Sequence, residues 1–289
     1  MKPKLRTGAR ACAILAGLAL ALTACGSSHS SSPTITIAPA RVYQLAGFRP
    51  SGPVPAGRPV RLAFTIQQPS GAALTTYKRG PGPHTGVHLI IVRSDLATII
   101  HHHPPVDPRT GRIADTVVFP LPGRYRVVID AYPKTSGPQP NFQLFDWITV
   151  SGRYRRQPLP PFRPTVSVDG YRFSMGSQPK LVAISAQEIT VHVTTPSGKP
   201  AVFTPWYGAL AHAIFFRRGT LDYFHTHICA PNATGCTSIL AGTKVTGRSS
   251  RPGILNVGVL VPAPGTWRLF LQCKLAGHVL TAPFTLHVS

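Results

Sequence analysis

His88-Leu-Ile-Ile-Val-Arg-Ser-Asp-Leu-Ala-Thr-Ile-Ile-His-His-His103 decides the architecture, because it returns as His212-Ala-Ile-Phe-Phe-Arg-Arg-Gly-Thr-Leu-Asp-Tyr-Phe-His-Thr-His227. Each copy reads as two β-branched or aromatic runs around a turn, the pattern of a β-hairpin. Working outward, Val60–Ile66 leading to Pro69-Ser-Gly71 is echoed by Ile189–Thr195 leading to Pro196-Ser-Gly198. Pro122-Gly-Arg-Tyr125 is echoed by Pro264-Gly-Thr-Trp267, and Trp147–Val150 by Phe284–Val288. The offset is 124 residues at each histidine pair and 142 at the Pro-Gly pair, so the second copy carries 18 more residues between them. Repetition of this kind marks two copies of one unit. Short strands at Val60–Ile66, Val87–Val92, Thr116–Phe119, Tyr125–Ile129 and Trp147–Val150, with Pro and Gly between them and no sustained helical period, predict an all-β chain of two tandem β-sandwich domains.

The N-terminus predicts an address. Lys2, Lys4, Arg6 and Arg10 precede a short apolar run ending Leu22-Thr-Ala-Cys25. A bilayer-spanning helix needs about 20 apolar residues, so this run reads as a signal peptide. Leu-Thr-Ala-Cys resembles the bacterial lipobox, which implies cleavage before Cys25 and lipidation (palmitate among the acyl groups) of its thiol. The expected divisions are 1–24 signal peptide, 25–40 lipidated Cys and polar tether, 41–151 first sandwich, 152–164 basic Pro-rich linker and 165–289 second sandwich. Such a lipoprotein lies on the extracytoplasmic face of the cell membrane. Removing four basic residues lowers the net charge from +22 to +18. An exported basic chain is expected to meet anionic headgroups or acidic wall polymers rather than nucleic acid. Glu188 is the single glutamate, which speaks against a calcium cage. Outside the cytoplasm disulfides persist, and Cys229 and Cys236 are spaced to close a small loop, leaving Cys273.

The first copy carries His88, Asp95-Leu96, His101, His103-Pro104 and Pro122-Gly-Arg-Tyr-Arg126. In these segments the chain resembles YtkA-like and cupredoxin-like bacterial extracytoplasmic sandwiches, some of which are linked to copper or other heavy-metal handling. The resemblance implies an immunoglobulin- or cupredoxin-like fold. The second copy departs from it, with Gly219 in place of Asp95 and Ile228 after His227.

With hairpin turns centred between Asp95 and Leu96 and between Gly219 and Thr220, His88 lies opposite His103 and His212 opposite His227. Side chains alternate along a strand, so His88, His101 and His103 share one face, as do His212, His225 and His227, while His102 points away. A one-residue slip would scatter both sets. Three imidazoles suit zinc, copper or nickel. The bland reading is that these histidines pack as ordinary strand residues. Cys273 and His278, on a segment resembling the closing strand of blue-copper proteins, are weaker metal candidates, and a buried core thiol is the simpler reading of Cys273. No His-Glu-x-x-His, Gly-x-Ser-x-Gly or phosphate-cradling loop occurs, and no catalytic residue is predicted. The expected function is non-catalytic binding of copper or zinc, one histidine cluster per sandwich, for sequestration or transfer. The rival is a metal-free immunoglobulin-like module that holds a protein or cell-envelope partner.

Overall fold

A computed structural model describes residues 42–80, 82–134, 141–233, 236–240 and 242–289. Cys25, the signal peptide and the tether lie outside the described residues. The described residues, from Val42 to Ser289, belong to one compact unit. In chain order the strands are β1 Gln44–Arg49, β2 Val54–Pro55, β3 Pro59–Gln67, β4 Val87–Arg93, β5 Ile99–His102, β6 Ile113–Val118, β7 Gly123–Ala131, β8 Phe142–Ser151 and β9 Thr165–Val168. They continue as β10 Tyr171–Ser174, β11 Gln187–Thr194, β12 Ala211–Arg217, β13 Tyr223–Cys229, β14 Thr237–Leu240, β15 Thr243–Arg248, β16 Ile254–Val259, β17 Gly265–Leu275 and β18 His278–Val288. Among the described residues no helix is long and apolar enough to cross a membrane.

In the first half, a three-stranded sheet β1-β3-β6 faces a five-stranded sheet β2-β8-β7-β4-β5. Leu62, Phe64 and Ile66 of β3 meet Leu89 and Ile91 of β4 and Val127 and Ile129 of β7 in one core. In the second half, the strand path β18-β17-β12-β13-β15-β16-β11-β10-β9 bends back on itself. Ile189, Val191 and Val193 of β11 thereby share a core with Phe215 of β12 and Leu269 and Leu271 of β17. The longer connection in this half is the β14–β15 hairpin, stapled at its root by the Cys229–Cys236 disulfide, whose Cα atoms are 6.2 Å apart.

The repeated Pro-Gly-x-aromatic motif has a local cause. The hydroxyl of Tyr125 donates to the Leu121 carbonyl at 2.8 Å, and Trp267 Nε1–H donates to the Ala263 carbonyl at 2.9 Å. Each ring ties its strand to the preceding turn, as in a tyrosine corner. Gly123 (φ 134°) and Gly265 (φ 130°) adopt backbone that other residues avoid. A Cβ at Gly123 would also stand 2.8 Å from the Tyr154 ring.

β4 and β12 are buried on both faces. One face feeds each half's own core. The other faces meet in a third cluster, in which Ile90, Val92 and Val128 pack against Ile214, Phe216 and Phe270. Burying a side chain of this size is worth about 1.5–3 kcal/mol. The two halves are therefore joined by an apolar seam, reinforced where Arg126 Nη1 donates to the Thr220 and Leu221 carbonyls, each at 3.0 Å.

Candidate metal centre

The histidines continue the seam. His88, Ile90 and Val92 alternate onto one face of β4, and His212, Ile214 and Phe216 onto one face of β12. The hairpin registers are those expected from the sequence: Leu89 pairs with His102 and Ile90 with His101, while His212 pairs with His227. Both turns hold four residues between the flanking hydrogen bonds Arg93 N–H to Thr98 O and Arg217 N–H to Asp222 O. An even loop preserves the shared face. His102 points to the other side, where its Nδ1 bonds Asp115 Oδ2 at 2.6 Å.

Because these faces pack on each other, the six histidines form one cluster at the seam rather than one cluster per half. Ligand nitrogens lie within 4.8 Å of one another in His88–His101–His103, in His88–His225–His227 and in His101–His212–His225. Two of these triads draw on both halves. The expected His212–His225–His227 set is thus regrouped, its members reaching across to His88 and His101.

Polar groups around the cluster fix several ring tautomers. His88 Nε2–H donates to the Pro83 carbonyl at 2.9 Å, and His212 Nε2–H donates to the Trp206 carbonyl at 3.0 Å. A carbonyl can only accept, so the bare lone pair of each ring is on Nδ1. Both of those Nδ1 atoms are buried without a hydrogen-bond partner. Gln272 donates through Nε2 to Thr281 Oγ1 at 3.0 Å, which turns its Oε1 to accept from His101 Nδ1–H, also at 3.0 Å. The lone pair of His101 is then on Nε2, where it accepts from His103 Nε2–H at 3.2 Å. Two nitrogens on one tetrahedral ion at about 2.0–2.1 Å stand roughly 3.3 Å apart. His225 has no hydrogen-bond partner at either nitrogen and His227 none at Nε2.

Burial, with neighbouring imidazoles next in effect, holds His88, His101, His103, His225 and His227 well below the ordinary imidazole range. Burial lowers His212 to about 4. The cluster is neutral at pH 7, the state in which imidazole binds metals.

Sequence reasoning missed two contributors. His84 sits before the first hairpin, its Nε2 3.0 Å from His227 Nδ1, and the comparable place against His103 is taken by Tyr207, stacked at 3.8 Å. With no matching histidine in the second copy, the repeat gave no signal for it. Asp130 lies directly opposite His88 on β7 and is 2% exposed. It accepts from Asn141 (2.6 Å), Gln143 (3.1 Å) and Tyr223 (3.2 Å), and its Oδ2 is 4.0 Å from His225 Nδ1. Burial raises its pKa, and these donors oppose the rise. The 142-residue offset places Gln272 at the equivalent position, so one side of the cluster has a carboxylate and the other an amide. An open groove lined by His101, His102, Trp206, Tyr207 and Gln272 leads from the cluster to solvent.

Residues 166–289, less than half of the chain, match the model of a family described as a domain of unknown function (DUF8832). That span contains His212, His225 and His227. No curated protein sequence matches the chain. Among solved structures it is similar to trypsin-activated alpha-2-macroglobulin from Escherichia coli, at 13% identity over 88% of this chain and 16% of that one (TM-score 0.26). It is also similar to a putative membrane anchored protein from Corynebacterium diphtheriae, at 10% identity over 88% of this chain and 59% of that one (TM-score 0.27). A third is the set of fibronectin(III)-like modules of Clostridium thermocellum CbhA, at 8% identity over 85% of this chain and 93% of that one (TM-score 0.21). This chain thus spans less than two thirds of the first two.

The weaker metal pair is separated. Cys273 faces the core of the second half beside Leu271 and Leu280, where burial raises its thiol pKa to about 12. His278 is exposed at the β17–β18 turn. Neighbouring residues on a strand point to opposite faces, so Gln272 reaches the histidines and Cys273 does not.

Proposed function

We propose that this chain is a non-catalytic, membrane-anchored lipoprotein that binds a transition metal, copper or zinc, for sequestration or transfer on the extracytoplasmic side. What supports the reading is the cluster of buried imidazoles in which His88, His212 and His101 are each hydrogen-bonded from outside, leaving lone pairs directed inward. Ligating histidines are held in this way in metal sites, through the nitrogen that does not bind the ion. The ion arrives and leaves by the groove at His101, where a partner with ligands of its own can reach it.

Titration calorimetry of the chain lacking residues 1–24 with Zn(II), and with Cu(I) under a reductant, tests the binding. The wild type is expected to bind at micromolar metal or below, and the double variant His101→Ala, His225→Ala to lose it. A folded protein that gives no heat with either ion would be the metal-free immunoglobulin-like module instead. The anchor is tested separately: Cys25→Ser is expected to move the chain from the membrane fraction to the soluble fraction, and continued membrane attachment would refute lipidation at that thiol.

A further inference from the structure

Alternation along β17 turns three side chains to the seam side of its sheet: Gln272 at the histidines, Phe270 in the apolar cluster and Arg268 beyond them. Arg268 lies opposite Phe216 of β12 and Thr285 of β18 and is 7% exposed. The 142-residue offset makes it the counterpart of Arg126, but the two differ in their partners. Arg126 gives Nη1 to two carbonyls of the other half and lies 4.2 Å above the Phe145 ring. Arg93, also buried, pairs with Asp95 at 3.1 Å. Arg268 donates from Nη1 to the Thr285 hydroxyl at 2.8 Å, and its Nε is buried without a hydrogen-bond partner. The Phe270 ring is 5.9 Å away, at the outer limit of a cation–π contact. Among the described residues no carboxylate forms an ion pair with Arg268. Burial lowers its pKa to about 10, which leaves it charged at pH 7. A buried cation without a counter-ion is strongly unfavourable.

Beside Arg268 there is room for one. A hollow of about 520 Å³ opens between the segment that precedes β9, β9 itself and β18. Arg163, Ser167 and Thr285 add donors to its lining, and Pro160 and Pro283 give it apolar walls. We propose that this hollow binds a phosphate ester, with the phosphate held between Arg268 and Arg163 and the organic part against the prolines. The planar guanidinium fork matches paired oxygens of this kind. A phosphate monoester carries a charge of about −1.5 to −2 and three terminal oxygens, enough for two guanidinium groups and the neighbouring hydroxyls, whereas a carboxylate has one charge and two oxygens. The hollow falls within the size range of small-molecule sites, so an organic part fits beside the phosphate. The site lies apart from the histidines and stands whether or not they hold a metal.

The same group has a soluble and a lipid source, and the test has an arm for each. The chain lacking residues 1–24 is titrated calorimetrically with glycerol 3-phosphate, and sedimented with phosphatidylcholine vesicles made with and without phosphatidic acid. Binding is expected in at least one arm; glycerol 3-phosphate alone would make a soluble ester the ligand, and phosphatidic acid vesicles alone a lipid headgroup. Arg268→Gln is expected to weaken binding by about tenfold or more, as loss of a charge-assisted hydrogen bond does. Arg61→Gln, which removes one exposed charge from β3, should weaken it by less than about twofold. Without ligand, Arg268→Gln should melt no lower than the wild type, because the side chain it removes has no counter-ion; ligand should then raise the melting temperature of the wild type alone. Equal binding by wild type and Arg268→Gln, equal losses in Arg268→Gln and Arg61→Gln, or no binding in either arm would overturn the site.

Discussion

A buried imidazole is neutral in the folded chain and an ordinary base in the unfolded one, which makes the metal-free protein sensitive to acid. His84 and His212 are lowered by burial to about 4, against 6.5 for the free side chain. Between those values the unfolded chain binds more protons than the folded chain, so stability falls as pH falls from about 6.5 towards 4 and is unaffected by these groups above 7. For fully buried His212 the loss is on the order of 3 kcal/mol across that interval. Urea unfolding of the metal-free chain is therefore expected to show a lower midpoint at pH 5 than at pH 7.5; equal midpoints would mean that the rings are hydrated and protonated in the folded state. Residue types and spacing made the six histidines of the cluster legible in advance, because they recur at one offset. His84 and Asp130 were not legible, since neither is repeated and Asp130 reaches the cluster through the pairing of β7 with β4.

At the scale of single elements, the turns carry the argument. Asp95-Leu96 and Gly219-Thr220 differ in composition and in backbone, with left-handed conformations at Leu96 in one and at Gly219 and Leu221 in the other. They nevertheless close loops of the same even length, which is all that is needed to keep His88 and His212 on the face of their partners across the hairpin. The strands flanking them were readable as β because Leu, Ile, Val and Phe fill them between turn residues. The run Thr116–Phe119 falls at the end of its strand: β6 starts at Ile113, whose side chain fills the core, and ends at Val118. The Cys273 strand shows where local pattern misleads. A thiol and an imidazole close in sequence resemble a ligand pair, yet pleating directs the thiol into the core and the β17–β18 turn leaves His278 in solvent.

Across the whole molecule, the seam and the metal centre are one feature. The apolar contact between Ile90, Val92 and Val128 and Ile214, Phe216 and Phe270 sets the distance at which the two histidine sets meet. Phe216 packs in the apolar seam beside the histidines, and Phe216→Ala should lower metal affinity by at least about tenfold, as changes behind a ligand shell commonly do. Truncating a buried Phe costs about 3–5 kcal/mol in any case, so Phe173→Ala, in the core of the second half, serves as the control. Comparable loss of thermal stability in both variants with loss of affinity in Phe216→Ala alone is expected; equal affinities would detach the centre from the seam.

Sequence spacing by itself determined that the chain is built of β-hairpins, that one hairpin segment recurs at a constant offset, and that three histidines in each segment would share a face. These are local properties, set by alternation along a strand and by the parity of a turn. It could not determine what that face would meet. β4 and β12 are apolar on both sides, so the pattern alone does not say which side packs inside its own half and which is covered by the other. Tertiary packing made that choice, laying the two histidine faces together at the seam, so that what local reading assigned to two separate triads became one buried cluster.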